Sequence, residues 1–147
     1  MATKTKTTVT ELSYFRLSLL SYLRDTHPDK ATDHDLIAER GDAAAETYSQ
    51  AIKAGHTHDY AEEASSKVLY EGLYFSTYRT LATILWEEFS EEVNPSQAEG
   101  IAMELLPRLT GTIQKYTLSD DFADTPQYNQ LYTELTGEIQ ILLENGL

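Results

Sequence analysis

The chain has 147 residues with 11 Lys+Arg, 24 Asp+Glu and no Cys, a formal net charge of −13. That length suits one domain whose core needs no disulfide or metal staple, and the absent thiols exclude a disulfide framework, a thiolate metal site and a cysteine nucleophile. The charge opposes direct binding to nucleic acid, whose phosphates require Lys and Arg, while the lack of a long apolar run and of an apolar signal segment in Met1 to Thr10 predicts a cytoplasmic protein with no membrane contact.

The periodicity is helical nearly throughout, with residues 1–8 expected as a flexible tail and 9–147 as a single helical domain. Thr8-Val9-Thr10-Glu11 has the pattern of a capping box, in which a Thr hydroxyl and a Glu three residues on satisfy each other's amides. The first helix is predicted from about Val9 to Asp25, with Leu12, Phe15, Leu19, Tyr22 and Leu23 as its apolar stripe. His27-Pro28 ends it, because proline disfavours helix in the preceding residue. The second helix is predicted from a Thr32 cap to just before Gly55, with Leu36, Ile37, Ala44, Ala45, Tyr48 and Ile52 sharing a broad face. Gly41 lies inside it at a propensity cost of about 1 kcal/mol against Ala, which suggests a close helix approach. Gly55 suits the left-handed position after a helix end.

The third element is the longest, about Asp59 to Val93, with one Gly (Gly72) and no Pro. Ala61, Ala64, Val68, Phe75, Ala82, Trp86 and Phe89 form a stripe, and leucines and tyrosines widen it around most of the girth. Such a helix is usually the buried centre of a bundle; a continuous or gently kinked helix is predicted, with a break near Gly72 as the alternative. Asn94-Pro95-Ser96-Gln97 starts a fourth helix carrying Ile101, Leu105, Leu106, Leu109 and Ile113. Pro107 within it removes a backbone bond and crowds the carbonyl of Met103, so a kink or a split is expected there. Leu118 to Asp124 reads as a polar turn around Phe122. Thr125-Pro126 opens the last helix, whose seam of Leu131, Leu135, Ile139 and Leu142 packs either inside the chain or against a second copy, as a homodimer. The predicted fold is therefore all-α, an irregular bundle of about five helices with a long central third helix and no sheet.

Charge is unevenly placed. Residues 1–85 hold 12 acidic and 9 basic residues, whereas residues 86–147 hold 12 acidic and 2 basic ones, Arg108 and Lys115. The densest run is Glu87, Glu88, Glu91 and Glu92, crowded on one face beside Trp86 and Phe89. A solvated helix face explains it most simply; an acidic surface for a basic protein partner, a mimic of DNA, and a hard-cation site are the functional alternatives. The tyrosines are unusual, ten in all, and Tyr70, Tyr74 and Tyr78 stand at i, i+4 and i+8 on one expected ridge beside Phe75. Tyrosine suits half-buried helix packing and partner surfaces alike.

The best grouping for a metal is His56, His58 and Glu62, with Asp59 between, since imidazole and carboxylate suit zinc or iron. Its spacing matches no strong ligand pattern, and a polar turn before a helix explains the same residues. His27 and His34 flank the Asp25–Asp35 stretch, which lacks calcium-loop spacing. There is no G-x-S-x-G, no phosphate-binding glycine loop and no convergent nucleophile, base and oxyanion donor. No catalytic or cofactor-binding residue and no cofactor is therefore assigned. The expected function is a non-enzymatic, acidic protein-interaction module with another protein as partner. An acidic DNA mimic that inhibits a DNA-binding protein is the second hypothesis, and a metal-dependent enzyme around His56 and His58 the third.

Three stretches carry a resemblance: Glu11 to Arg24 (ELSYFRLSLLSYLR), Asp42 to Tyr48 (DAAAETY) and Leu69 to Tyr78 (LYEGLYFSTY) through Trp86 to Phe89 (WEEF). They resemble a family of short helical bacterial proteins, the domain of unknown function 1896, over most of the chain from about Glu11 onward. The resemblance implies an all-helical fold and a setting in mobile genetic elements, with an accessory role there. It implies no site residue.

Overall fold

The computed structural model describes the backbone of residues 9–146 and the side chains of residues 14–146. The capping box at Thr8, the expected tail over residues 1–8 and the Leu12 side chain lie outside the described residues. Among those residues every regular element is helical and none is a strand. There are six α-helices of eight residues or more, α1 (Val9–Thr26), α2 (His34–Lys53), α3 (His58–Tyr70), α4 (Thr77–Glu88), α5 (Ala98–Leu105) and α7 (Pro126–Glu144), and one single turn, α6 (Thr110–Ile113). The chain groups into two compact units, one ending at Glu71 and the other starting at Gly72.

The long central third helix does not form. α3 stops at Tyr70, Glu71 turns extended at ψ 131°, and α4 restarts at Thr77. Gly72 adopts φ +78°, a left-handed conformation open to glycine at no side-chain penalty. Ser76 then caps α4, its side chain accepting from the amide of Arg79 at 2.9 Å. The amides freed by the break are not left bare: Asp120 accepts from Gly72 N at 2.9 Å and from Tyr74 N at 3.1 Å. These bonds lie at exposed positions, where one carboxylate accepting from two amides holds the break in a defined geometry.

α4 also ends early, at Glu88, where Phe89 leaves helical geometry at φ −130°. Carboxylates oppose the negative end of the helix dipole, and Phe89 and Val93 are both buried by the turn that follows. The fourth predicted helix splits at Pro107 into α5, a 3-10 turn over Leu106–Leu109, and α6. Two caps differ from expectation. α2 starts one residue late, with Asp33 rather than Thr32 accepting from Leu36 N; a carboxylate there also meets the helix dipole favourably. Thr125 opens α7, but its hydroxyl donates to Phe122 O at 2.7 Å instead of capping.

In the N-terminal unit α2 packs on both α1 and α3. Phe15, Leu19, Leu23, Ile37, Ala44, Ala45, Ala61 and Leu69 form its core. Gly41, Ala44 and Ala45 make one small-residue face on α2, and α1 sits so close to it that a Cβ at Gly41 would lie 2.5 Å from Arg16 Cγ. Arg16 is fastened there by Asp42, whose Oδ1 accepts from Nε at 3.0 Å and Nη2 at 2.7 Å. Arg40 donates to Leu69 O at 3.1 Å, satisfying a carbonyl in the last turn of α3.

The C-terminal unit builds its core from α4, α5, the turns around Leu109 and Phe122, and α7. The α7 seam of Leu131, Leu135 and Ile139 is fully buried within this core.

Candidate functional site

The N-terminal unit carries an open groove of about 380 Å³, lined by Tyr14, Phe15 and Ser18 of α1 and by Asp59, Glu62, Glu63, Ser66, Leu69 and Tyr70 of α3. Helical spacing produces it. Tyr14 and Ser18 are four residues apart on α1, and Asp59, Glu62, Glu63, Ser66 and Tyr70 recur at three- and four-residue steps on α3, so each set shares a face. Serines at Ser18 and Ser66 contribute too little volume to fill the space between larger neighbours. Phe15 and Leu69 are buried and form the floor, and the ring of Tyr14 stands half exposed, edge-on to Phe15 at 5.1 Å between centroids. Tyr70 is fixed by the ring of Tyr22 at 4.7 Å.

Among the described residues no Lys, Arg or His lines the groove, whereas three carboxylates do. Thr57 already caps α3 by accepting from Tyr60 N at 3.1 Å. Asp59 lies in the first turn, where the helix dipole favours an anion, but that effect fades beyond one turn and does not account for Glu62 and Glu63. Among the described residues Asp59 and Glu63 have no ion-pair partner, and Glu62 has only His58, at 3.7 Å.

The residues singled out in the sequence are distributed as follows. His58 and Glu62 do meet, but His58 Nδ1 is also hydrogen-bonded to the Tyr48 hydroxyl at 2.7 Å. His56 instead stacks on Tyr60 with centroids 4.0 Å apart. Among the described residues no three His, Asp or Glu side chains gather as a metal would require. His27 is bonded to the Thr26 hydroxyl at 2.8 Å.

The expected tyrosine ridge does not exist, because the helix that would display it is broken. Tyr70 closes α3, Tyr74 is exposed in the break, and Tyr78 is buried in the core of the C-terminal unit. The single acidic helix face is absent for the same kind of reason. Glu87 and Glu88 end α4, while Glu91 and Glu92 sit exposed in the turn beyond it. Glu88 accepts from the Tyr132 hydroxyl at 2.9 Å. Burial first, and then this bond to an anion, push the Tyr132 phenol well above its ordinary value.

A polar node in the C-terminal unit had no sequence signal. Glu134 of α7 takes Lys115 Nζ on one oxygen at 2.5 Å and the Tyr116 hydroxyl on the other. Lys115 first, and then Tyr116, hold the Glu134 carboxyl below its ordinary range, and the same contact raises the Tyr116 phenol. A carboxylate with a depressed folded pKa stabilises above its unfolded value and loses that contribution as pH falls through the folded one. Urea midpoints measured from pH 7 down to pH 3 should therefore fall less steeply in Glu134→Gln than in the wild type, the difference opening below the ordinary carboxylate value of 4.5. Parallel curves would show that the node contributes nothing.

A sequence profile of the family described as Domain of unknown function (DUF1896) matches residues 7–147. The chain belongs to this family. It is also similar to protein PG0816 from Porphyromonas gingivalis, known from a crystal structure, with 41% sequence identity and a TM-score of 0.89 over 93% of each chain. No curated protein matches the chain. The DUF1896 match runs through both compact units, and among the described residues no helix is long and apolar enough to cross a membrane.

Proposed function

We propose that this DUF1896 protein is a non-enzymatic, acidic interaction module that docks a segment of another protein in the α1–α3 groove. The observation that carries this reading is the groove itself: a concavity of about 380 Å³ with an aromatic and apolar floor and a carboxylate rim. Aromatic side chains dominate binding hot spots because they bury large area at little entropic loss. Rim charge of one sign steers a partner of the opposite sign and makes association sensitive to salt. The net charge of −13, most of it carried by residues 86–147, has the same sign.

The test is co-purification from the native host at low and high salt, comparing wild type with the double variant Tyr14→Ala/Glu63→Gln. Both altered side chains are exposed, so helicity by circular dichroism should be unchanged. A stoichiometric partner recovered with the wild type and lost from the variant is the expected result. A partner retained by the variant would move the docking surface elsewhere, and the absence of any partner would overturn the module.

A further inference from the structure

We infer that the groove is built to receive an arginine side chain presented by the partner's docking segment; this rests on the reading of the groove as a protein-docking site. Three properties of the lining point to it. Among the described residues, Asp59, Glu62 and Glu63 give the groove three anionic groups and none gives a cationic one. Two of them, Asp59 and Glu63, are four residues apart on α3 without a cation between them among the described residues, and like charges at that spacing repel. Capping does not explain the arrangement, since Thr57 performs that task and Glu62 and Glu63 lie past the first turn. A bound cation would turn this repulsion into attraction.

The second property is aromatic. Tyr14 and Tyr70 line the same groove above the buried Phe15, and aromatic faces attract cations, guanidinium more often than ammonium. The third is hydroxyl chemistry: Ser18 and Ser66 are half-buried in the lining and offer acceptors that a carboxylate-bound guanidinium, with five donors, can also use. Arginine satisfies all three at once, because its planar fork pairs with carboxylates while its plane stacks on a ring. Lysine is a compact point charge that keeps its hydration more tightly. The partner segment is therefore basic, and its anchor is arginine with apolar neighbours to cover Tyr14.

Fluorescence anisotropy of the full chain with three matched labelled peptides tests this. Each has one central position, Arg, Lys or citrulline, flanked by Leu and Ala. Citrulline keeps the shape of arginine without its charge. The Arg peptide should bind and weaken at high salt; citrulline should bind about tenfold more weakly or worse, as expected for loss of a charge-assisted contact. Glu63→Gln should weaken the Arg peptide about threefold or more, with helicity unchanged, whereas Glu104→Gln on exposed α5 surface should leave it as it is. Equal binding of Arg and citrulline peptides, indifference to Glu63→Gln, or no binding at all would overturn the arginine anchor. So would arginine amide competing as well as the peptide, which would make the groove a small-cation site. If the peptides fail while the native partner is still lost from Tyr14→Ala/Glu63→Gln, the anchor is wrong and the docking site stands.

Discussion

Leu135→Ala should destabilise the C-terminal unit by about 3–4 kcal/mol, within the range found when a fully buried leucine is truncated and its cavity collapses only in part. Leu135 has 0% exposure and sits between Leu131 and Ile139, equally inaccessible, on the face of α7 that meets α4 and α6. The loss combines transfer of the removed carbons with the cavity left behind, and neighbours packed at 0% exposure have little room to close it. Ile141→Ala on the same helix is the control. Its side chain is 58% exposed, so the change should stay within about 0.5 kcal/mol. Trp86 provides the readout, being the only tryptophan and lying in this unit. Its indole N–H donates to Pro95 O at 3.1 Å and its ring faces Arg79 at 5.4 Å, so urea unfolding should shift its emission. A loss below about 1 kcal/mol for Leu135→Ala would mean that α7 does not complete this core.

How far the sequence discloses this molecule depends on the range of the interaction. α1, α2 and α7 are legible because an apolar stripe and a breaker agree on each: Pro28 follows α1, Gly55 takes the expected left-handed φ of +94° after α2, and Pro126 opens α7. The break between α3 and α4 is not legible in the same way. Apolar periodicity runs across Gly72 undisturbed, and the carboxylate that satisfies its amide comes from Asp120, 48 residues on. The candidate site shows the same limit. Glu62 stands out as a metal ligand and Tyr70 as a ridge residue, each on local spacing. What joins them is Tyr14 and Ser18 on α1, more than 40 positions earlier in the chain. Helix pairing, which no local pattern encodes, assembles the groove. Glu134 is hidden for the opposite reason: in a chain with 24 acidic residues, one more carboxylate on an amphipathic helix carries no distinguishing mark.

Gly41→Val should destabilise the N-terminal unit by about 3 kcal/mol, with Gly41→Ala costing about 1 kcal/mol net. Backbone conformation is not the cause, since Gly41 is an ordinary helical residue of α2; there alanine would by itself gain up to about 1 kcal/mol in propensity. Space is the cause. An added Cβ would stand 2.5 Å from Arg16 Cγ, 3.2 Å from Arg16 N and 3.3 Å from Arg16 Cα. Cγ lies near the base of the side chain, and its far end is held by two bonds to Asp42, so it cannot simply swing aside. The backbone atoms can yield only if α1 moves, which would loosen Phe15 and Leu19 beneath it. A double-mutant cycle separates the two contacts. Arg16→Ala removes Cγ and the pair with Asp42, an exposed ion pair worth about 1 kcal/mol or less. In that background Gly41→Ala should become neutral or stabilising, because only the backbone contacts remain and helix propensity offsets them. Gly41→Val should stay destabilising, since its branched side chain still meets the α1 backbone. Urea unfolding followed by circular dichroism, with hydrogen exchange at Ala44 and Ala45 to report on α2, gives all four corners. Equal costs for Gly41→Ala with and without Arg16 would place the obstruction in the backbone alone.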